Sequence, residues 1–231
     1  MTIKIKSFLL LIITLIIMIF TSKENFSLAQ NNDIFFKNGP RDEKLIALTF
    51  DDGPHPKETY EVLKVLDKYD VKATFFVVGK HANWYSEPLI KASKEGHEIG
   101  NHTFSHPDIS NLSNDDIKKE IKECEDVLLK LTNKKPTLFR PPYGSYSEDK
   151  LSQIAKECGY KIILWTSIDA KDWKNPPSEQ ISNTIINKIQ NGDIILFHDY
   201  GTKNTVEALD VIIRTLKDEG YKFVTVSELI N

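Results

Sequence analysis

The chain has 231 residues, 40% hydrophobic and 27% charged, a balance that excludes intrinsic disorder. At about 150 residues per domain, one large domain or two small ones fit. The 30 Lys and Arg against 33 Asp and Glu leave a formal charge of −3, which excludes the basic excess of a nucleic-acid binder. Two cysteines exclude a disulfide scaffold and a four-cysteine zinc site, and ten Gly with ten Pro exclude collagen-like sequence.

The N-terminus opens with Lys4 and Lys6, then an apolar run from Phe8 to Phe20 whose only polar member is Thr14. About 13 residues fall short of the roughly 20 that span a bilayer. A basic start, a short apolar stretch and a polar exit predict a secretory signal over 1–29, cut after Ala29. The alternative is an uncleaved membrane anchor. Cleavage would remove three Lys and one Glu, a net +2, leaving a charge of about −5. Residues 30–43 read as a polar arm or linker, and 44–231 as the folded domain.

From Leu45 onward, apolar runs alternate with amphipathic segments. The runs are Leu45–Phe50, Ala73–Gly79, His97–Asn101, Thr137–Arg140, Lys161–Trp165, Asp193–Phe197 and Lys222–Val226. Helical spacing joins Tyr60, Leu63, Leu66 and Tyr69, and again Ile117, Ile121, Cys124, Leu128 and Leu131 after an Asn114/Asp115 start signal. Gly96, Gly159 and Gly220 each stand where a helix gives way to a strand. Alternating strands and helices predict parallel pairing, and strands without polar alternation predict a sheet covered on both faces. A (β/α) barrel or a doubly wound sheet satisfies this pattern. Export would permit a Cys124–Cys158 disulfide, but two small buried thiols are the simpler reading.

In such folds chemistry collects where strands end. Asp51 and Asp52 end the first run; adjacent carboxylates need a cation when buried, although Asp-Gly-Pro also makes a solvated turn. His102 and His106 follow the third run at a spacing that can face one metal ion; satisfied loop histidines are the commoner explanation. Arg140 precedes a rigid Pro141-Pro142 pair and reads either as a surface residue or as the partner of a distant carboxylate. Asp169-Ala170-Lys171-Asp172-Trp173 could be an acidic helix start. His198 follows four apolar residues, at the mouth of the sheet. His55, His81 and His97 are assigned to surface or packing.

Together these segments resemble the polysaccharide deacetylases of the NodB-homology type, carbohydrate esterase family 4. That family's ordered motifs are matched by Thr49–Pro54, His102–His106, Arg140–Tyr143, Asp169–Trp173 and Leu196–His198. The resemblance runs over residues 44 to 230 and implies an α/β fold, a single distorted (β/α)7 barrel. It implies that Asp52, His102 and His106 bind Zn²⁺ or another divalent ion such as Co²⁺ or Ni²⁺. Asp51 would be the general base, paired with and oriented by Arg140. The backbone N–H of Tyr143 would serve the oxyanion, and His198, supported by Asp172, would be the general acid. Pro141, Tyr143, Trp173 and Leu196 would line the substrate site. One departure stands out: Trp165 and Asp169 are separated by one residue more than in many relatives.

The resemblance implies a secreted or wall-associated monomer removing acetyl groups from N-acetylglucosamine units of a polysaccharide, with peptidoglycan the first choice. Chitooligosaccharides, poly-N-acetylglucosamine, acetylxylan esters and a catalytically silent carbohydrate-binding protein of the same fold are the alternatives. No nucleic-acid partner is expected, and membrane contact only through an uncleaved N-terminus.

Overall fold

The computed structural model describes residues 34–231. The expected secretory signal lies outside the described residues, as do residues 30–33 of the expected arm. The strands are β1 (Phe35–Phe36), β2 (Leu45–Asp51), β3 (Thr74–Val77), β4 (Glu98–Asn101), β5 (Leu138–Phe139), β6 (Lys161–Ile163), β7 (Ile194–His198) and β8 (Lys222–Phe223). Between them run α1 (Glu58–Lys68), α2 (Gly79–Trp84), α3 (Ser86–Lys94), α4 (Asn114–Thr132), α5 (Glu148–Cys158), α6 (Ser178–Ile186), α7 (Lys203–Asp218) and α8 (Val226–Leu229).

All seven expected runs contain a strand. The sheet order is β1-β6-β5-β4-β3-β2-β7, every pair is parallel, and β8 adds to the start of β2. The sheet curls as a distorted (β/α)7 barrel. Its two edges meet where Thr166 N–H donates to the Ile194 carbonyl at 3.1 Å and Gly39 N–H to Gly192 at 2.8 Å.

Strand β1 lies within the segment whose sequence predicts a polar arm. Two phenylalanines are too short a run to announce a strand. Phe36 nevertheless packs on the core group that contains Ala47, Phe76, Leu138 and Ile163, and Phe35 stacks on Tyr146. Apolar burial therefore holds this stretch on the edge of β6.

Strand β2 shows how the core is divided. Successive side chains point to opposite faces. Ile46, Leu48 and Phe50 pack in the cluster with Val62, Leu63 and Leu66 of α1 and Leu209, Ile212, Ile213 and Leu216 of α7. Each such buried side chain contributes roughly 1.5–3 kcal/mol. Ala47 joins the other cluster, and Thr49 and Asp51 follow it on the same face. Register then places Asp51 beside His198, and Val77 beside Asn101. The strand ends that carry polar residues are thus brought to one mouth.

The expected helices form. Helix α4 is capped by Ser113, whose Oγ accepts the Asp116 N–H at 3.2 Å, one residue before the expected start. It buries Ile117, Ile121, Cys124 and Leu128. Gly159 ends α5 at φ +76°, a left-handed turn for which glycine pays no Cβ penalty. Both cysteines are free thiols, Cys124 buried and Cys158 half-buried. Burial pushes the Cys124 thiol up to about 12, against weaker opposition from backbone hydrogen bonds, which makes it an unreactive packing residue.

Candidate active site

The mouth of the barrel is a groove of about 380 Å³ lined by Asp51, Asp52, His102, His106, Tyr143, Trp165, Asp169, Trp173, Leu196 and His198. Asp51 is the last residue of β2, and Asp52 follows in the left-handed region at φ +74°. The segment after β4 presents His102 and His106, with Thr103 and His106 also at positive φ. Its shape depends on side chains. Asn101 Oδ1 accepts the Thr103 N–H at 2.9 Å, and the Glu120 carboxylate accepts the Phe104 and Ser105 N–H groups at 2.9 and 2.7 Å. Glu120 carries no signal in the sequence, since its role appears only when α4 packs beside this loop.

His102 Nδ1 lies 2.7 Å from the Arg140 carbonyl oxygen. A carbonyl can only accept, so this nitrogen carries the proton and Nε2 presents a lone pair to the groove. That Nε2 stands 3.5 Å from Asp52 Oδ1, and His106 Nε2 stands 3.1 Å from the same oxygen. Asp52 Oδ1 is buried and accepts no hydrogen bond. One ligand atom from each of the three residues lies within 4.8 Å of the others. Burial alone would raise the Asp52 carboxyl; only when both imidazoles are protonated, with Nε2–H turned to Asp52, do their hydrogen bonds and charge outweigh burial and hold the group below the usual carboxylate range. Two imidazole donors and an unpartnered carboxylate oxygen around one point fit a divalent metal ion with open positions.

Arg140 is fully buried inside the barrel and is not a surface residue. Its Nη1 donates to Asp51 Oδ1 at 2.7 Å and to Thr49 Oγ1 at 2.8 Å, while Nε and Nη2 reach the carbonyls of Ile163 and Leu164 at 3.2 and 3.1 Å. The guanidinium also lies over the Phe76 ring, 4.1 Å from its centroid. The guanidinium thus engages Oδ1 of Asp51, and Oδ2 lies 3.7 Å from His102 Nε2.

On the opposite wall, Asp172 Oδ1 pairs with His198 Nδ1 at 2.8 Å. Burial would lower the His198 imidazole, but the Asp172 hydrogen bond and charge, with the charges of Asp51 and Asp52, raise it to about 9. The Asp172 contact thus favours the protonated form of His198.

A family model described as polysaccharide deacetylase matches residues 38–163. The chain belongs to the polysaccharide deacetylase family. A peptidoglycan-N-acetylglucosamine deacetylase of Bacillus cereus is 44% identical over 194 residues, 83% of this chain and 90% of that protein. A peptidoglycan-N-acetylmuramic acid deacetylase of Bacillus subtilis is 42% identical over 81% of this chain and 39% of its own length. Among solved structures, the Bc1960 peptidoglycan N-acetylglucosamine deacetylase superposes with a TM-score of 0.83 at 36% identity, over 89% of this chain and 96% of that one.

Within this polysaccharide deacetylase the expected residues are distributed as follows. Asp51, Asp52, His102, His106, Tyr143, Trp173, Leu196 and His198 face the groove. Arg140 and Asp172 are buried directly behind it, each bonded to a groove residue. Pro141 is buried and off the groove wall, and precedes the Pro142–Gly144 turn in which Tyr143 stands at φ +60°. Trp165 lines the groove in spite of its longer spacing to Asp169, which lines it too. Its ring packs so close to Gly144 that a Cβ there would lie 2.8 Å from the indole edge.

Of the histidines assigned to surface or packing, His97 is buried, and burial, reinforced by Lys72, lowers it to about 4. His55 Nδ1 accepts the Glu58 N–H at 3.2 Å at the start of α1. His81 does more than pack, since its Nδ1 contacts the Asp52 carbonyl oxygen at 2.6 Å.

Proposed function

We propose that this polysaccharide deacetylase is a divalent-metal enzyme that hydrolyses the N-acetyl group of N-acetylglucosamine units in peptidoglycan. The observation that carries the reading is the convergence of Asp52 Oδ1, His102 Nε2 and His106 Nε2 in the groove that also holds the His198–Asp172 pair. The names of the similar proteins support the polymer. Zinc is the first candidate for the ion, with cobalt or nickel able to take the same donors.

A divalent ion on these three residues supplies Lewis acidity toward the acyl oxygen and toward the attacking water. The chain supplies the rest. Asp51 takes the proton of the water through Oδ2, the oxygen that Arg140 leaves uncommitted. The Tyr143 backbone N–H faces the developing oxyanion, where loss of one such donor costs about 3 kcal/mol. His198 delivers its proton to the departing nitrogen as the carbon–nitrogen bond breaks, giving acetate and a free amine. Leu196 and Trp173 bound the space for the acetyl methyl, and the exposed rings of Tyr143 and Trp173 offer faces to the sugar. Export through residues 1–29 is part of the same proposal and rests on Lys4, Lys6 and the run Phe8 to Phe20.

Acetate release by the purified protein tests the reading, with peptidoglycan, chitopentaose and acetylated xylan as substrates. Chelator-sensitive release from peptidoglycan, restored by Zn²⁺, is expected. Release from xylan alone would make it an ester hydrolase. Metal binding with no release from any of the three would favour a silent carbohydrate-binding protein.

A further inference from the structure

The Asp52 backbone is tied down from several sides. At φ +74° it stands in the left-handed region, which costs every non-glycine residue some energy, although Asp less than most. The turn is held by three consecutive carbonyls, each tied to a different part of the fold. The Asp51 carbonyl accepts the Asp199 N–H at 3.2 Å, and the Gly53 carbonyl accepts the Val78 N–H at 3.0 Å. Those donors are backbone groups that any sequence would supply. The Asp52 carbonyl between them accepts from a side chain, His81 Nδ1, at 2.6 Å.

His81 is itself locked. Its ring lies parallel to Tyr200, with centroids 4.3 Å apart and planes 11° apart, and the Trp84 ring lies 5.5 Å away, tilted by 34°. Tyr200 follows His198 and Asp199 at the end of β7. The segment that carries the expected general acid therefore also clamps the ring that holds the expected metal ligand.

We propose that His81 is a positioning residue for the metal site. Its Nδ1–H fixes the Asp52 carbonyl, and through the left-handed backbone aims the Asp52 carboxylate at the point shared by His102 and His106. The ring is not part of the groove lining. The proposal rests on the assignment of Asp52, His102 and His106 as metal ligands.

Two substitutions separate the hydrogen bond from the packing. His81→Phe keeps an aromatic ring against Tyr200 and deletes the donor. His81→Asn places an amide N–H near the position of Nδ1 and deletes the ring. Zinc affinity of each full-length, metal-stripped protein would be measured by competition with a chromophoric chelator, alongside the absorption spectrum of the cobalt form. His81→Phe is expected to weaken zinc about 10- to 100-fold, the usual effect of losing a group that orients a ligand. His81→Asn is expected to recover most of that loss and the wild-type cobalt spectrum. The metal-free melting temperature of His81→Phe should stay within a few degrees of wild type.

Unchanged zinc affinity in His81→Phe would overturn the proposal, including the case where KM for a chito-oligosaccharide rises instead and the ring proves to be a sugar platform. Equal weakening in both variants, with a matching fall in metal-free melting temperature, would reduce His81 to a packing residue. A wild-type protein that binds no zinc, cobalt or nickel would overturn the metal assignment itself, and this proposal with it.

Discussion

Asp172 grips His198 at two points: Oδ1 pairs with the ring Nδ1 at 2.8 Å, and Oδ2 accepts the His198 backbone N–H at 2.8 Å. Thr205 Oγ1 donates to the same Oδ2 at 2.8 Å, so the carboxylate is fully engaged in a buried site. The pair keeps Nδ1 protonated and leaves Nε2 as the nitrogen that faces the groove. With His198 raised to about 9, a mechanism needing its proton should stay active until the pH passes that value. Asp172→Asn removes the negative charge that favours the imidazolium. The alkaline limb of kcat/KM should then move to lower pH by roughly one unit or more. A pH–rate profile of the variant checks this, and an unmoved limb would count against His198 as the acid.

The two aspartates at the end of β2 should give separable defects. Asp52→Ala removes a metal donor, so metal content and activity should fall together. Asp51→Asn keeps the shape and loses the base, so metal content should hold while turnover drops by at least ~10²-fold. Elemental analysis beside acetate release distinguishes the two, and normal turnover by Asp51→Asn would sink the base assignment.

Arg140 holds a buried anion inside the barrel. Arg140→Met fits a similar volume but strands the Asp51 carboxylate and leaves the carbonyls of Ile163 and Leu164 without their donor. Breaking a buried pair by removing one partner costs about 3–5 kcal/mol. Urea unfolding of the variant should show a loss of that order, and a loss below ~1 kcal/mol would mean that water or another cation replaces the guanidinium.

Asp199 predicts a pH-dependent weakness. Its carboxyl is buried, one oxygen accepts from Thr59 Oγ1 at 2.5 Å and the other has no partner. Burial raises it from 3.8 to about 7, with Asp51 and Asp52 adding to the effect and Thr59 and Gly53 opposing it. A group raised on folding binds its proton more tightly in the native state. The stability it contributes is present at low pH and is lost as pH rises toward and through 7. Asp199→Asn cannot ionise. The melting temperature of the metal-free variant should therefore gain on wild type between about pH 4 and pH 7 and level off above, and a constant difference across that window would show that Asp199 is ionised throughout.

Much of this molecule follows from local pattern. Apolar runs such as Leu45–Phe50 and Asp193–Phe197 had to become buried parallel strands. The amphipathic spacing of Ile117 to Leu131 had to become a helix, because each pattern records which faces of one element meet water. Strand-end placement of Asp51, Asp52, His102, His106 and His198 follows from those same boundaries, and the ordered motifs connect them to one family. Other features depend on which distant surfaces meet. Arg140 reads equally well as a surface residue until the sheet curls and sets it beside Asp51, 89 positions away. Phe35 and Phe36 are too brief to show strand periodicity and become β1 only because the edge of β6 is open to them. Trp165 reaches the groove whatever its spacing to Asp169, because the path of the chain after β6 sets where its ring falls. Hydrogen bonds are short-ranged and directional, so the partners of Arg140, Glu120 and His81 were decided by curvature and register, which no local run of residues encodes.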